Sequence, residues 1–358
     1  MSLWIAWRGV DMAWVQEIYD TLFDPNTICV ACISHGKDSL SMLRAIKLLG
    51  LPLHRIVTSD VWATHDIPAD LPPMWKWKKE ADQTIKELYG IEVEHICAMQ
   101  KSCSQTVNVE REREREREHG VRRECYESMF YTTVCERGKY AGNIKGFPPK
   151  IGEWCKKLKF EKVDIRKFVL SSLRRRRTEW KNVRFSIQKR ELVSKQTKAA
   201  GFRKNFFYSP KNEGRKINII QYLGIAADEP KRIAKHIGKP NIILPLVEIG
   251  WEEDLCGLIS GYQNLLSPVY TTATRDGCWF CHNQSVGQLR LLRKNYPDLW
   301  ALLLKWDLDS PVSFKPDGRT VHDFDARFAM EDEGLISPDD PWKWGYLADK
   351  PLQLRMKF

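Results

Sequence analysis

The feature that most constrains this chain is a short apolar run, Thr27-Ile28-Cys29-Val30-Ala31-Cys32-Ile33, followed by Ser34-His35-Gly36-Lys37-Asp38-Ser39 and then a helical pattern. A continuous run rich in β-branched residues suits a strand buried on both faces, as in a parallel sheet. Met42, Leu43, Ile46 and Leu49 next fall on one helical face, and Gly50 with Pro52 ends it. Strand, turn and helix in that order present consecutive backbone N–H groups and a helix N-terminus to an anion. Gly36 permits close backbone approach, Lys37 brings a point charge, and Ser34 and Ser39 bring hydroxyls. Asp38 repels a bare phosphate, so it either orients the turn or helps hold Mg²⁺. The turn is not a Walker A loop, because G-x-x-x-x-G-K-[ST] is absent.

The rest of the chain extends this plan. Residues 11–22 read as an opening helix with Asp11 at its N-cap, broken by Pro25-Asn26. A second strand runs from Arg55 to Ser59 and stops at Asp60; a helix follows from about Pro73 to Tyr89, then a strand from Ile91 to Cys97. This β-α-β-α-β order predicts an α/β fold with a doubly wound parallel sheet, its ligand crevice at the carboxyl ends of the strands. Ile217 to Ile225 and Ile242 to Leu246 read as further strands around a helix from Glu229 to His236, and Val286 to Leu304 as a later helix. The expected organisation is an N-terminal helix (1–25), a nucleotide-binding domain (26–250) with insertions near 100–150 and 165–216, and a C-terminal region (251–358).

Charge is unevenly placed. The 358 residues carry a formal net charge of +11, yet residues 156–216 alone hold 21 Lys/Arg against 5 Asp/Glu. Aromatics punctuate that stretch at Trp180, Phe185, Phe202, Phe206, Phe207 and Tyr208. Such a segment can neutralise phosphates and stack on bases, which makes nucleic acid the expected partner; the same aromatics would also serve to anchor an insertion. Residues 110–118 alternate Glu and Arg throughout, the pattern of a solvated helix or arm. No apolar run reaches the ~18 residues of a membrane span, and the opening residues lack a signal-peptide pattern, so the expected setting is cytoplasmic with no membrane partner.

Ten cysteines in a reducing compartment are thiols or metal ligands more often than disulfides. Cys29 and Cys32 sit three apart on a strand and point to opposite faces, so they read as core. Cys278-Trp279-Phe280-Cys281 is a C-x-x-C knuckle, half of a metal site, with Cys155 the candidate for the other half. Thiolates suit iron–sulfur clusters and Zn²⁺ alike, and plain buried thiols are the third reading.

Ser34-His35-Gly36-Lys37-Asp38-Ser39 resembles the S-G-G-K-D-S "PP-loop" of the ATP pyrophosphatase and phosphoadenosine phosphosulfate (PAPS) reductase superfamily. His35 stands where the family has a second Gly, which implies either that a positive φ is not needed there or that the loop differs locally. The resemblance implies an adenine nucleotide α-hydrolase-like, Rossmann-like fold with the loop around the phosphates of ATP, Mg²⁺ beside them, and Asp60 near the nucleotide. Gly224-Ile225-Ala226-Ala227-Asp228-Glu229-Pro230-Lys231-Arg232 is similar to the family's G-I-R-A-D-E-S-x-R; Glu229 and Arg232 match, whereas Ala226 replaces a basic residue. Glu153-Trp154-Cys155-Lys156-Lys157-Leu158-Lys159 resembles the W-C-x-x-x-L-K pattern of members acting on nucleic acid, such as DNA-phosphorothioation proteins. Iron–sulfur members hold a [4Fe–4S] cluster on four thiolates; here Cys155, Cys278 and Cys281 match, and Cys135, Cys125 or Cys256 would supply a fourth, or one iron would stay open.

The resemblance thus implies an enzyme that adenylates an acceptor, with nucleic acid the expected class, for cluster-assisted sulfur transfer, and a sulfur-donor protein as a further partner. Lys37, Asp38 and Asp60 would be catalytic; Ser34, His35, Gly36, Lys37, Ser39, Asp60, Glu229 and Arg232 would bind nucleotide. Asp60, His35 and Glu229 are the candidates for a general base. Sulfonucleotide reduction is the rival reading, but family reductases need a cysteine in a C-terminal tail, and none follows Cys281. A zinc-stapled nucleotide or nucleic-acid-binding module without catalysis is the third.

Overall fold

A computed structural model of the chain describes residues 20–98, 124–133, 142–148, 155, 158, 163–175, 186–187, 207–208, 217–236, 238–239, 241–271 and 277–342. Five strands form one all-parallel sheet: β1 (Thr27–Ile33), β2 (Arg55–Asp60), β3 (Val93–Cys97), β6 (Asn218–Leu223) and β7 (Ile242–Ile243). Between β3 and β6 in the chain, β4 (Ser186–Ile187) and β5 (Phe207–Tyr208) make a small antiparallel pair of their own. The sheet order is β3-β2-β1-β6-β7. The chain therefore steps outward from β1 to β3, then returns to the other side of β1. That reversal leaves a crevice between the carboxyl ends of β1 and β6, where open α/β sheets take ligands.

Helices cover both faces. Helix α1 (Lys37–Leu48) and α2 (Pro72–Tyr89) pack on one face, where Leu40, Leu43, Ile46, Ala81 and Ile85 share a core with Cys29 and Tyr222. On the opposite face Val30, Val57 and Ile219 meet Phe168, Val169 and Leu170. Those three residues lie on α4 (Ile165–Arg175), so part of the stretch read as an insertion is a helix of this core. The alternation of Cys29 and Cys32 holds: Cys29 belongs to the first core and Cys32 packs against the second. Burial raises their thiols to about 11 and about 12, which makes both inert.

Three elements differ from the sequence reading. The strand expected from Ile242 to Leu246 stops at Ile243, because Pro245 opens α6 (Pro245–Ile249). The helix expected from Glu229 to His236 shortens to α5 (Pro230–Ile233), continued only by turns. The helix expected from Val286 to Leu304 is two, α8 (Val286–Asn295) and α9 (Pro297–Asp309). Pro297 has no N–H to continue the first and is pre-set to begin the second. These two pack with α10 (Val321–Asp332) around a third, aromatic core containing Trp279, Trp300, Trp306, Phe314 and Phe324.

The opening helix is described only from Asp20, and the Glu-Arg repeat at 110–118 and Cys135 lie outside the described residues. So does most of 176–216. No helix among the described residues is long and apolar enough to cross a membrane.

Candidate functional site

The turn after β1 is closed by Ser39. Its hydroxyl accepts from the Ser34 amide at 3.1 Å and donates to the Gly36 carbonyl at 2.9 Å. Gly36 is the extended residue before α1 and gives no side-chain cap. The first-turn amide of Lys37 donates to the Tyr270 hydroxyl at 3.2 Å, while those of Asp38 and Ser39 take no acceptor among the described residues. Such amides are the donors a helix start offers to an anion.

His35 corrects one expectation. Its φ is +59°, so the position keeps the left-handed conformation that a glycine would take freely, without the glycine. The ring holds it there. The imidazole is wholly buried, its Nε2 lies 2.7 Å from Asp82 Oδ1, and it meets Trp77 edge-on. Burial lowers its pKa against the pull of Asp82. A ring so enclosed cannot touch a substrate; position 35 can serve a nucleotide only through its backbone.

Lys37 and Asp38 face the crevice. The Lys37 ammonium pairs with Glu253 Oε1 at 2.8 Å on α7 (Glu253–Tyr262) and sits 5.9 Å from the Tyr270 ring centre. Burial works against its charge, but the Glu253 carboxylate holds the pKa above the usual value. Helix α7 comes close because small residues line the contact. Ser41 Oγ donates to the Cys256 carbonyl at 2.7 Å, and Ser260 Oγ to the Lys37 carbonyl at 2.8 Å. Burial, then the Glu253 carboxylate, pushes Asp38 up to about 6, and its buried Oδ1 has no hydrogen-bond partner. An orphaned carboxylate oxygen beside an anion cradle suits a hard dication such as Mg²⁺.

The second motif lands against the first. At Gly224, just past β6, a Cβ would lie 2.6 Å from Ser39 Cα and 2.9 Å from the Asp38 carbonyl oxygen, so only glycine fits. Beyond it Glu229 accepts from the Ala226 amide at 3.3 Å and from Arg232 at 2.6 Å. Both Glu229 and Arg232 act on the acidity of Asp38, which places them around the same crevice. Arg232 thus engages both carboxylate oxygens of Glu229.

Asp60 departs from the expected setting. It is buried at the end of β2, with Oδ2 2.8 Å from His95 Nδ1 and Oδ1 3.8 Å from Lys78 Nζ. His95 Nε2 in turn lies 2.8 Å from Asp82 Oδ2, so among the described residues hydrogen bonds link Asp60 to the loop through His95, Asp82 and His35. Burial opposes the charge of Asp82, but the two imidazoles hold it down to about 2; two carboxylates overcome burial to raise His95 to about 9. Asp60 is thus a member of a buried polar chain, and it is not placed as a base at the crevice. His95 and Asp82 escaped the sequence reading: nothing in a helix position and a strand position 13 residues apart marks them as partners.

The C-x-x-C turn is built into the aromatic core. The Cys281 amide donates to the Cys278 carbonyl at 3.0 Å, Trp279 stacks on Trp306, and the Phe280 ring lies 4.1 Å from Tyr126. Trp279 also donates through its indole to the Pro68 carbonyl at 3.0 Å. Cys155 and Cys278 pack on this core, and all three thiols of Cys155, Cys278 and Cys281 act on the acidity of the buried Tyr126 hydroxyl. The structure therefore brings the three together. Among the described residues, the His, Cys, Asp and Glu ligand atoms found within 4.8 Å of one another are those of His35, Asp82 and His95. Cys256 is no fourth ligand, for it lies in the first-face core beside Asp38. Cys125 caps the short helix α3 (Tyr126–Phe130), its Sγ accepting from the Ser128 amide. The buried Lys315 ammonium donates to the His282 carbonyl at 2.6 Å and to that of Gln284, bracing the turn; the sequence reading missed it.

No family model, no curated protein and no solved structure matches this chain.

Proposed function

We propose that the chain is a PP-loop ATP pyrophosphatase of the PAPS reductase superfamily that adenylates an acceptor, with nucleic acid the favoured class, for sulfur transfer. The observation that carries this reading is the crevice itself. Two motifs distant in sequence, Ser34–Ser39 and Gly224–Arg232, meet at the switch point of a parallel sheet, with glycine required where they touch.

In this reading the amides of Asp38 and Ser39 and the Lys37 ammonium hold the phosphates of ATP. Lys37 exchanges its Glu253 partner for a phosphate oxygen. Asp38 would hold Mg²⁺, which when bound neutralises charge on the leaving pyrophosphate. The acceptor oxygen attacks the α-phosphorus and pyrophosphate departs; sulfur then displaces AMP from the activated acceptor. Fixed donors aimed at developing charge supply the rate enhancement. Cys155, Cys278 and Cys281 would hold a [4Fe–4S] cluster, which when bound offers a site for sulfur.

The test is anaerobic purification with iron and sulfide analysis, followed by an assay for pyrophosphate from ATP with and without RNA or DNA. Iron, sulfide and acceptor-stimulated pyrophosphate release are the expected results. Sulfite release from PAPS would favour the reductase instead, and zinc without turnover the binding module.

A further inference from the structure

The polar chain beneath the loop has the form of a second metal site, separate from the thiols. Asp82 presents one carboxylate oxygen to each of two imidazoles, His35 Nε2 at 2.7 Å and His95 Nε2 at 2.8 Å, and the three residues' ligand atoms lie within 4.8 Å of one another. The three come from separate elements: the turn after β1, helix α2 and strand β3. Behind each ring stands an acceptor for the other nitrogen: Asp60 Oδ2 at 2.8 Å from His95 Nδ1, and Thr58 Oγ1 at 3.4 Å from His35 Nδ1. A neutral imidazole has a single N–H. When that hydrogen is held at Nδ1, the lone pair at Nε2 faces inward, the arrangement by which outer carboxylates orient ligating histidines.

Charge points the same way. Three carboxylates, those of Asp60, Asp70 and Asp82, gather around this cluster, with the ammonium of Lys78 2.5 Å from Asp70 and 3.8 Å from Asp60. Among the described residues these carboxylates outnumber the ammonium three to one, a surplus that suits a bound cation. We propose that His35, Asp82 and His95 bind a divalent transition ion of the Zn²⁺ or Co²⁺ type. Two imidazoles and a carboxylate select such ions over Mg²⁺ or Ca²⁺. Ligands on a tetrahedral zinc stand about 3.3 Å apart, between the 2.7 and 2.8 Å of the two hydrogen-bonded pairs and the 4.8 Å that bounds the group. His95 and Asp82 each keep about a fifth of their side-chain surface, enough for a water as fourth ligand. The ion would fix the strained His35 and so the turn that follows β1. The site stands whether or not that turn binds ATP.

The test is Co²⁺ titration of the full chain after chelation, followed by visible spectroscopy. The expected result is one equivalent giving d–d bands without thiolate-to-cobalt charge transfer, displaced by Zn²⁺. His95→Gln and Asp82→Asn should each weaken that binding about 100-fold or more, while Lys37→Ala leaves it unchanged. Cobalt bound only with thiolate charge transfer, or bound equally by the folded H95Q and D82N variants, would overturn the site. Should those variants fail to fold, crystals of the unaltered chain soaked in Zn²⁺ decide it. An anomalous peak within bonding distance of all three residues supports the proposal, and no peak there at saturating zinc overturns it.

Discussion

At the scale of single residues, Lys37 and Glu253 show how a resting ion pair can compete with a ligand. The pair spans 2.8 Å, and Glu253 keeps nearly half its side-chain surface, so its carboxylate can turn to water when a phosphate arrives. Lys37→Ala should therefore lower pyrophosphate release by about 10²–10³-fold, the usual effect of removing a charged or hydrogen-bonding stabiliser. Glu253→Gln should do the reverse to binding, tightening ATP several-fold because Lys37 no longer exchanges a charged partner; isothermal titration of both variants checks the pair. Lys315 permits a test by pH. Burial, with Arg319 adding to it, lowers its pKa from 10.5 to about 8. Between those values the unfolded chain holds the proton that the folded chain has shed, so stability rises with pH across the window by up to ~1.4 kcal/mol per unit. A neutral amine still has two N–H donors for the His282 and Gln284 carbonyls, so the turn remains braced. Urea unfolding at pH 8 and pH 10 should show the unaltered chain gaining on Lys315→Met, which does not titrate; a constant difference would contradict the burial argument.

Between elements, the decisive meeting is β6 against the start of α1. Gly224→Ala places a methyl 2.6 Å from backbone that cannot retreat without opening the turn. It should cost about 1–3 kcal/mol, the range for overpacking, and remove ATP binding along with it. Gly257→Ala is the control: its Cβ would meet nothing nearer than Lys37 Cδ at 3.8 Å, and in mid-helix it should stabilise by about 1 kcal/mol at most. Thermal melts of the two should move in opposite directions. The same pair shows what the sequence discloses. The order of β1, turn and α1 is readable because each signal is local: β-branched run, glycine, helical stripe. Pro245 and Pro297 are equally plain signals, and a strand or helix drawn through them weighs periodicity above a missing N–H. The chain His35–Asp82–His95–Asp60 is illegible for another reason. His95 meets Asp60 because parallel register sets Thr58 beside His95 and Asp60 beside Cys97, and Asp82 joins them only once α2 has packed. Nothing in local spacing encodes a meeting made by tertiary assembly.

Across the whole molecule, loop and thiols share one end of the sheet. The crevice lies past β1 and β6, while the aromatic core is mounted on the chain leaving β2 and β3. There the Tyr126 amide donates to the Trp62 carbonyl and the Trp279 amide to the Ala69 carbonyl, at 2.8 and 2.9 Å. An acceptor activated at the crevice would thus meet sulfur held by the thiols without crossing the sheet. The basic segment enters the chain between α4 and β6, next in sequence to β6 and therefore to Gly224. A polyanion drawn by 21 Lys/Arg would release counterions in proportion to the phosphates they neutralise. Deleting residues 176–206 should therefore flatten the slope of log K against log salt by about 0.7–0.9 for each phosphate no longer neutralised, with binding weakest relative to the full chain at low salt. Because α4 and β6 lie outside the deletion, ATP binding should persist in the shortened chain. Fluorescence anisotropy with a labelled single strand at several salt concentrations measures the slope. An unchanged slope would mean that the segment's charges face solvent, leaving nucleic acid without its main electrostatic foothold on this fold.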